Sequence, residues 1–441
     1  MTESELPVTL KRFLAWLNRK GSASYDPYDI WGTRYSLWAR RVYYRSSLLG
    51  LPLIAPLLLI EILCPSLRKL FAKKDRFATA DAQLLLGHLN LHRLTGSPEF
   101  LKKARQLGED LLGYSIPGYS GHGWGYPFDW QNQRGMWPRK TPFITCTPYC
   151  YEAFCGLFQI TGEDRYREIA ESIATFVFTD LHDTPTGQGA AAASYSPIDH
   201  SQVINATAYR AWVLVDAAER FGRADWQAKA EKNIAFVLQS QRPDGSWFYA
   251  MDGHGNYIDH FHTCFVLKKL HIINRQLQRQ DIRAAVSRGY EFYRRELFFA
   301  NRLPKMFALK PRIGIVRHEM YDFAEAITLG AVLQKEIPEA FRHAEELAAV
   351  LGSRYQLPDG HFVTRVYSGG WHHTFPFIRW PQSQLFFALT NLEMAKSGPS
   401  GSGIATPPSR NRLPEQTKEA ASARFPAGGL RASVPASASV Q

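Results

Sequence analysis

The sequence predicts an all-α fold, an (α/α)6-type toroid in which helical hairpins stand in two layers around one cavity and long loops gather at one end. Three observations predict it. A pattern of about sixty residues recurs along the chain, too long for a helical solenoid whose repeats run near ~34 residues. Its copies share a glycine with an aromatic four residues on and an alanine eight on: Gly96, Phe100 and Ala104; Gly162, Tyr166 and Ala170; Gly222, Trp226 and Ala230. Strongly apolar helices also alternate with amphipathic ones, as an inner and an outer layer require.

In chain order, residues 1–76 read as N-terminal helices and 77–396 as the toroid. The inner helices begin near Phe77, Phe143, Gln202, Phe261, His318 and Gln382. They are apolar through 84–91, 208–215 and 324–333, whereas their partners at 164–177, 225–238 and 339–351 keep one polar face. Glycine ends an inner helix by adopting the left-handed cap that other residues resist, and the outer helix starts at once. The copies near Gln280 and Pro338 are looser. Five hairpins and a last inner helix result, leaving N-terminal helices to complete the ring. Residues 397–441 change abruptly to Ser, Ala, Pro and Gly. With few large apolar groups to offset ordering entropy, they are expected to form a disordered tail.

The net charge of +12 suggests nucleic acid until it is mapped. Arg40, Arg41, Arg45, Arg68, Lys69, Lys73, Lys74 and Arg76 face only Glu61 and Asp75 between Trp38 and Phe77, and the tail holds a further basic excess. The main body has no basic stripe and no nucleic-acid motif, so no nucleic-acid partner is expected. The basic cluster brackets the most apolar run, 48–64, which includes Pro52, Pro56 and Glu61. That run is shorter than the about 20 residues a spanning helix needs. It reads either as a helix buried under the ring or, with its basic flanks across 40–76, as a peripheral anchor on an anionic membrane. The start of the chain lacks the apolar core of a secretory signal. Five cysteines, odd in number and mostly set in apolar helices, suit a reducing compartment. A cytoplasmic protein is expected, peripheral to the inner membrane if the run is an anchor.

Gln241-Arg242-Pro243-Asp244-Gly245-Ser246-Trp247 fits the pattern Q-x-x-x-G-x-W, and Gln356-Leu357-Pro358-Asp359-Gly360-His361-Phe362 is a degenerate copy. With the hairpin repeat, these residues make 77–396 resemble the α/α-toroid superfamily of six-hairpin glycosidases, sugar epimerases and lyases, and terpenoid cyclases. The chain is similar in particular to toroid proteins associated with bacterial exopolysaccharide production. The resemblance implies a carbohydrate substrate, and a motif that ties hairpins together. The cyclases' acidic D-x-D-D proton donor and a metal-binding D-D-x-x-D are missing from the sequence, which counts against isoprenoid chemistry.

Function concentrates in long connections, here 115–142, 181–201, 242–260, 297–317 and 356–381, which all emerge where the inner helices start. Helix N-termini gathered there favour anionic groups. The first connection carries His122, Trp124, Tyr126, Asp129 and Trp130. Aromatic faces stack on sugar rings and a carboxylate among them binds hydroxyls or moves protons; the competing reading is an aromatic plug. The next two connections end in Ile198-Asp199-His200 and Ile258-Asp259-His260, sixty residues apart. His318 follows at the next inner helix with Asp322 just beyond, so that His200, His260, His262 and His318 would line one level of the cavity. Asp199 and Asp259 would bind substrate or cap helices. The last connection holds Arg365, Trp371, His373 and Arg379, suited to a uronate carboxylate or phosphate, or else a strap closing the ring. Zinc held by Asp259, His260, His262 and Cys264 is disfavoured, because Cys264 lies in an apolar helix and adjacent Asp and His do not easily face one ion. No metal and no cofactor is expected.

Catalytic roles are thus expected of His260, His200, His318, Asp129 and Asp322. Substrate binding is expected of His122, Trp124, Tyr126, Trp130, Asp199, Asp259, His262, Arg365, Trp371, His373 and Arg379. The expected function is a carbohydrate-active enzyme of hydrolase, lyase or epimerase type, acting on a polysaccharide or lipid-linked glycan in bacterial polysaccharide synthesis or modification. An epimerase or lyase would move protons through histidines, whereas a hydrolase would use two carboxylates such as Asp129 and Asp322. The alternatives are a non-catalytic glycan-binding scaffold and an isoprenoid enzyme.

Overall fold

The computed structural model describes residues 1–311 and 314–398. The tail expected to be disordered falls, beyond its first two residues, outside them. The helices are α1 (Val8–Lys20), α2 (Arg34–Arg45), α3 (Ser47–Leu63), α4 (Ala78–Thr95), α5 (Pro98–Gly113), α6 (Thr147–Thr161) and α7 (Asp164–Thr179). They continue as α8 (Ile204–Phe221), α9 (Ala224–Gln239), α10 (His260–Leu277), α11 (Gln280–Glu296), α12 (Met320–Val332), α13 (Pro338–Val350) and α14 (Ser383–Lys396).

The even-numbered helices from α4 to α14 form the inner layer, and α14 returns to pack on α4, closing the circle. At that seam Gly87 has no space for a side chain, because a Cβ would lie 2.3 Å from the Phe386 ring. The two helices approach closely there. Asn90 Nδ2 donates to Asn391 Oδ1 at 2.9 Å and Ser383 Oγ to Gln83 Oε1 at 2.8 Å, since buried amides and hydroxyls are costly without partners. The corners at Gly96, Gly162 and Gly222 have φ of +71°, +69° and +71°, the left-handed caps that the repeat predicts. The outer helices α5, α7, α9, α11 and α13 each pack on the inner helix before them.

The sixth outer helix comes from the start of the chain. Phe13 of α1 stacks on Phe386 of α14 at 5.5 Å and on Phe362 at 5.6 Å. The glutamine motif explains how α1 is fastened. Gln241 Nε2 donates to the carbonyls of Gly245, at 3.0 Å, and of Ala285 in α11, at 2.9 Å. Gln356 Nε2 repeats this with the carbonyls of Gly360, at 2.9 Å, and of Thr9 in α1, at 2.8 Å. A Cβ on Gly245 would meet the Arg288 carbonyl oxygen at 2.4 Å, and one on Gly360 would meet that of Arg12 at 2.2 Å. Each copy clamps the next outer helix, and the degenerate one clamps α1. Gly360 also has φ of +111°, so Gly360→Ala combines strain with a backbone clash. It is expected to cost about 1–3 kcal/mol in urea unfolding; a loss below about 0.5 kcal/mol would mean that α1 is not clamped there.

The connections carry short strands: β1 (Trp130–Asn132), β2 (Gly135–Trp137), β3 (Asp183–Gly187), β4 (Ala190–Ala193), β5 (Ile258–Asp259), β6 (Phe307–Leu309), β7 (Val316–Glu319), β8 (Arg365–Tyr367) and β9 (His372–His373). β1 pairs antiparallel with β2, β3 with β4 and β5 with β6, while β7, β8 and β9 make one antiparallel sheet in that order. Beside them α2 and α3 form a further hairpin. It packs tightly at Gly50, where a Cβ would fall 2.1 Å from the Tyr43 backbone. Helix α3 buries Ile54, Leu57 and Glu61 but leaves Leu48 and Leu49 87% and 70% exposed. Among the described residues no helix is long and apolar enough to cross a membrane.

Candidate functional site

Aromatic rings encircle the end of the toroid where the inner helices begin. Tyr28 lies edge-on to Trp130 and to Trp380, each at 6.4 Å. From Trp130 the rings continue to Tyr126 at 5.8 Å and Tyr195 at 6.1 Å. From Trp380 they continue to Tyr321 at 4.1 Å and Phe261 at 5.5 Å, and Phe261 leads to His262 at 4.2 Å and then Tyr249 at 4.5 Å. The β1–β2 turn reaches over Tyr249. There Arg134 binds Asp252 through two hydrogen bonds of 2.9 and 2.8 Å, with its guanidinium 5.6 Å from the Tyr249 ring.

Two groups in this surround are equipped for proton transfer. Asp259, at the end of β5, caps α10: Oδ1 accepts from the His262 backbone N–H at 3.3 Å, and Oδ2 lies 2.6 Å from His262 Nδ1. A carboxylate on Nδ1 fixes the imidazole's orientation and leaves Nε2 to accept a proton. A cavity of about 10 Å³ lies against this pair, Asn205 and Tyr249, which is room for about one water molecule. The Asn205 side-chain oxygen is buried with no partner.

The other group is Asp322, in the first turn of α12. It is 1% exposed, and neither of its carboxyl oxygens has a hydrogen-bond partner. Burial above all, and then the charges of Glu319, Asp259 and Glu325, push its pKa well above the ordinary 3.8. Its neighbours are matched: Glu319 Oε2 accepts from Arg365 Nε at 2.6 Å, and Glu325 pairs with Lys268. Asp322 is not. Burial of this kind favours the protonated carboxyl, the form that can donate to an acceptor.

The arginines of the last connection are fully engaged. Arg379 is buried in a bidentate pair with Asp26, one bond of which is 2.8 Å, and its guanidinium lies 5.1 Å from the Tyr126 ring and 5.4 Å from that of Tyr28. Arg365 sits between Glu319 and Glu61, reaching Glu61 Oε1 at 3.1 Å. Glu61 also pairs with Arg68, which reaches Asp29 Oδ1 at 2.7 Å and the Asp26 carbonyl at 2.6 Å. Both arginines hold acidic groups of the protein in place.

Tyr126, Trp130, Asp259, His262 and Arg379 therefore meet around one end of the ring, Asp322 lies in the first turn of α12 where the charge of Asp259 reaches it, and the other sequence candidates lie elsewhere or serve the scaffold. Trp124 is fully buried, donates Nε1 to the Leu111 carbonyl at 2.8 Å and stacks on Phe154. His122 stacks on Trp124 with Nδ1 2.9 Å from Ser115 Oγ. Asp129 accepts from the Arg139 N–H at 2.7 Å. Asp199 braces its own loop, accepting from Ser196, Ser201 and the Tyr195 N–H, and His200 is exposed and stacked on His182 at 4.7 Å. The two Ile-Asp-His copies are not structurally equivalent: α10 starts at His260, whereas α8 starts at Ile204, after His200 has passed.

His260 is buried with both ring nitrogens occupied: Nδ1 faces the Leu297 carbonyl at 3.0 Å and Nε2 the Tyr293 hydroxyl at 2.9 Å. Burial holds its pKa down to about 3, so the ring stays neutral and pins α10 to the connection after α11. His318 faces the Pro304 carbonyl at 3.0 Å and packs edge-on to Phe299 and Phe323. Trp371 and His373 line a separate cleft beside α3. Among the described residues no group of three or more His, Cys, Asp or Glu is placed to hold a metal ion.

Sequence reasoning passes over Asp26, Tyr28, Tyr249 and Tyr321. One signal was available: Tyr25-Asp26-Pro27-Tyr28-Asp29 interleaves aromatic and acidic residues, as the first long connection does.

Inner and outer rings of six helices, with long connections where the inner helices begin, are the fold of the six-hairpin glycosidase-like α/α toroids. Among solved structures, the chain is similar to an unsaturated glucuronyl hydrolase from a Bacillus species, with 12% identity, a TM-score of 0.58, and coverage of 90% of this chain and 97% of that one. It is also similar to the cellobiose 2-epimerase of Bacillus thermoamylovorans, at 10% identity and TM-score 0.56, covering 72% of this chain and 88% of the epimerase. A polysaccharide lyase matches at 11% identity and TM-score 0.52, over 72% of this chain and 91% of the lyase. At such identities the likeness is one of fold. No protein-family model and no curated protein matches the chain.

Proposed function

We propose that this chain is a carbohydrate-active enzyme of hydrolase, lyase or epimerase type, with Asp322 as its acid and His262, oriented by Asp259, as its base. The observation that carries the reading is the Asp322 carboxyl group, buried without a hydrogen-bond partner and close enough to Asp259 to feel its charge. Unpaired buried carboxyls are costly, and they concentrate where a proton must be delivered. Tyr126, Trp130, Tyr249 and Trp380 supply faces for sugar rings. The names of the similar structures, a glucuronyl hydrolase, a cellobiose epimerase and a polysaccharide lyase, support the same substrate class. In hydrolysis His262 Nε2 takes a proton from the water that attacks the anomeric carbon, and the Asp322 proton goes to the glycosidic oxygen as its bond to that carbon breaks. In elimination or epimerisation His262 Nε2 takes a proton from a ring carbon and Asp322 returns one to the oxygen or carbon that needs it.

The substrate we assign is a polysaccharide or lipid-linked glycan of bacterial polysaccharide synthesis or modification, met by a chain that docks peripherally on an anionic cytoplasmic membrane face. The α2–α3 hairpin supports this. It is tied to the last connection through Glu61 and Arg365, and it exposes Leu48, Leu49, Leu51, Leu59 and Leu63 together with Arg41 and Arg45. Full-length protein should be incubated with uronate-ended oligosaccharides, β-linked disaccharides and lipid-linked glycans, with products read by mass spectrometry. Deuterium uptake from heavy water marks epimerisation, a new ultraviolet-absorbing double bond marks elimination, and a gained water marks hydrolysis. Glycans that bind and emerge unchanged would replace the enzyme with a glycan-binding scaffold.

A further inference from the structure

A cleft of about 970 Å³ opens at the C-terminal end of α3. Its walls come from the end of α1, the end of α3 and the segment just after it, and the connection through β9. Lys20, Lys69 and Lys74 all line it, and no aspartate or glutamate does. Among the described residues none of these three ammonium groups has a hydrogen bond or ion pair with a side chain or carbonyl, although Lys69 lies 5.9 Å from the Phe375 ring. Three like charges around one recess repel each other and favour an anion.

Two further features narrow the anion. His373, which also lines the cleft, is 2% exposed; Nε2 donates to the Glu61 carbonyl at 3.1 Å, and Nδ1 is left buried without a partner. Burial, and then the charges of Arg365 and Arg68, hold its pKa down to about 3. The ring is neutral, and Nδ1 is a lone pair able to accept from a hydroxyl. The rim is apolar: Leu63, Leu67 and Trp371 are 52%, 44% and 46% exposed, and Leu70 beside them is 82% exposed. An anion with a hydroxyl and hydrocarbon attached fits all three. Its volume falls within the roughly 300–1,000 Å³ of small-molecule sites.

We infer that this cleft binds the headgroup of an anionic phospholipid, with phosphate among Lys20, Lys69 and Lys74, a headgroup hydroxyl on His373 Nδ1, and the acyl chains leaving over Leu63 and Leu67. The inference rests on the membrane docking proposed above and gives that docking a specific site. Full-length protein is titrated with monomeric short-chain phosphatidylglycerol, following Trp371 fluorescence and calorimetric heat, and is floated on phosphatidylcholine vesicles with and without phosphatidylglycerol.

Saturable binding of the soluble lipid is expected, weakened roughly a hundredfold in K20Q/K69Q/K74Q, since each basic group near an anionic lipid contributes about fivefold. The equally neutralised R41Q/R45Q/K73Q lies outside the cleft and should keep its affinity for the soluble lipid while losing part of its flotation. Equal weakening of both variants, or soluble lipid that never saturates, overturns the site in favour of diffuse adsorption. Inorganic phosphate binding as tightly as the lipid overturns the lipid in favour of a free-anion site. Native protein that saturates with soluble lipid but does not float leaves the cleft intact and removes the membrane reading.

Discussion

Replacing Asp322 by asparagine is expected to remove most turnover and to make the folded chain more stable at neutral pH. Both effects follow from one burial. The native carboxyl group has no partner, and its pKa lies well above 3.8 in the folded state. The folded chain therefore holds a proton that the unfolded chain releases. That contribution is fully present below the unfolded value and is lost as pH rises towards the folded one, at about 1.4 kcal/mol per pH unit. Asparagine cannot ionise, so Asp322→Asn should flatten this decline and melt above the native protein at pH 7 and above. Turnover should fall roughly 10²–10⁴-fold, the usual contribution of an acid or base. In native protein the rate should fall as pH rises through the Asp322 pKa, and the variant's residual rate should lack that limb. A variant that is both active and less stable would show Asp322 to be structural.

The second large effect concerns the hold of the N-terminal segment on the site. Asp26 is fully buried, accepts two bonds from Arg379 and accepts the Tyr28 N–H at 2.9 Å. Asp26→Ala leaves the Arg379 guanidinium charged and buried beneath Tyr28, Tyr126 and Trp380. Breaking a buried pair in this way costs about 3–5 kcal/mol, whereas removing both charges costs far less. Urea unfolding of Asp26→Ala and of the double variant Asp26→Ala, Arg379→Met checks this. The double variant should recover much of the loss; if both lose the same amount, the charge left behind is not the cause. Tyr28 should also swing away from Trp130 and Trp380 in the single variant, weakening glycan affinity.

Local chemistry made the hairpins legible. A glycine that must take positive φ at Gly96, Gly162 and Gly222 announces a corner, and the apolar stretches of α4, α8 and α12 announce burial on every side. The corner before α11 is harder to see because Gln278 takes the left-handed cap at φ +53° without glycine. That N-terminal helices complete the ring was expected, but how α1 is held was hidden for a different reason. Its thirteen residues show only an amphipathic helix, and its partner Phe386 is on the far side of the sequence; the clue was that Gln356 needed a carbonyl to bind.

The site was half legible. Asp259 and Asp322 stand at the cap and in the first turn of inner helices, and the cap position sets Asp259 against the small cavity beside His262. Histidine recurrence was a weaker guide. Spacing counts residues and ignores where a helix starts, and the extra residues between His200 and Ile204 turn one copy of Ile-Asp-His outwards. Trp124 and Trp130, six residues apart, look alike on paper. Only packing separates the tryptophan that fills the wall from the one that faces the aromatic circle.

The closing of the ring by α1 has a consequence for how the chain folds during synthesis. The carbonyl of Thr9 finds the Gln356 amide 347 residues later, and Phe13 waits for Phe386. At roughly 5–20 residues per second, translation leaves α1 without its partners for roughly 20–70 s. Through that interval Leu10, Phe13, Leu14 and Leu17, all buried in the finished ring, are a hydrophobic strip with nowhere to go. Five hairpins can assemble in order as they emerge, each upon the last, yet the circle is completed by an element made at the beginning. A chaperone that recognises exposed apolar helices would find α1 available for most of translation, and the final step would be its release onto α14.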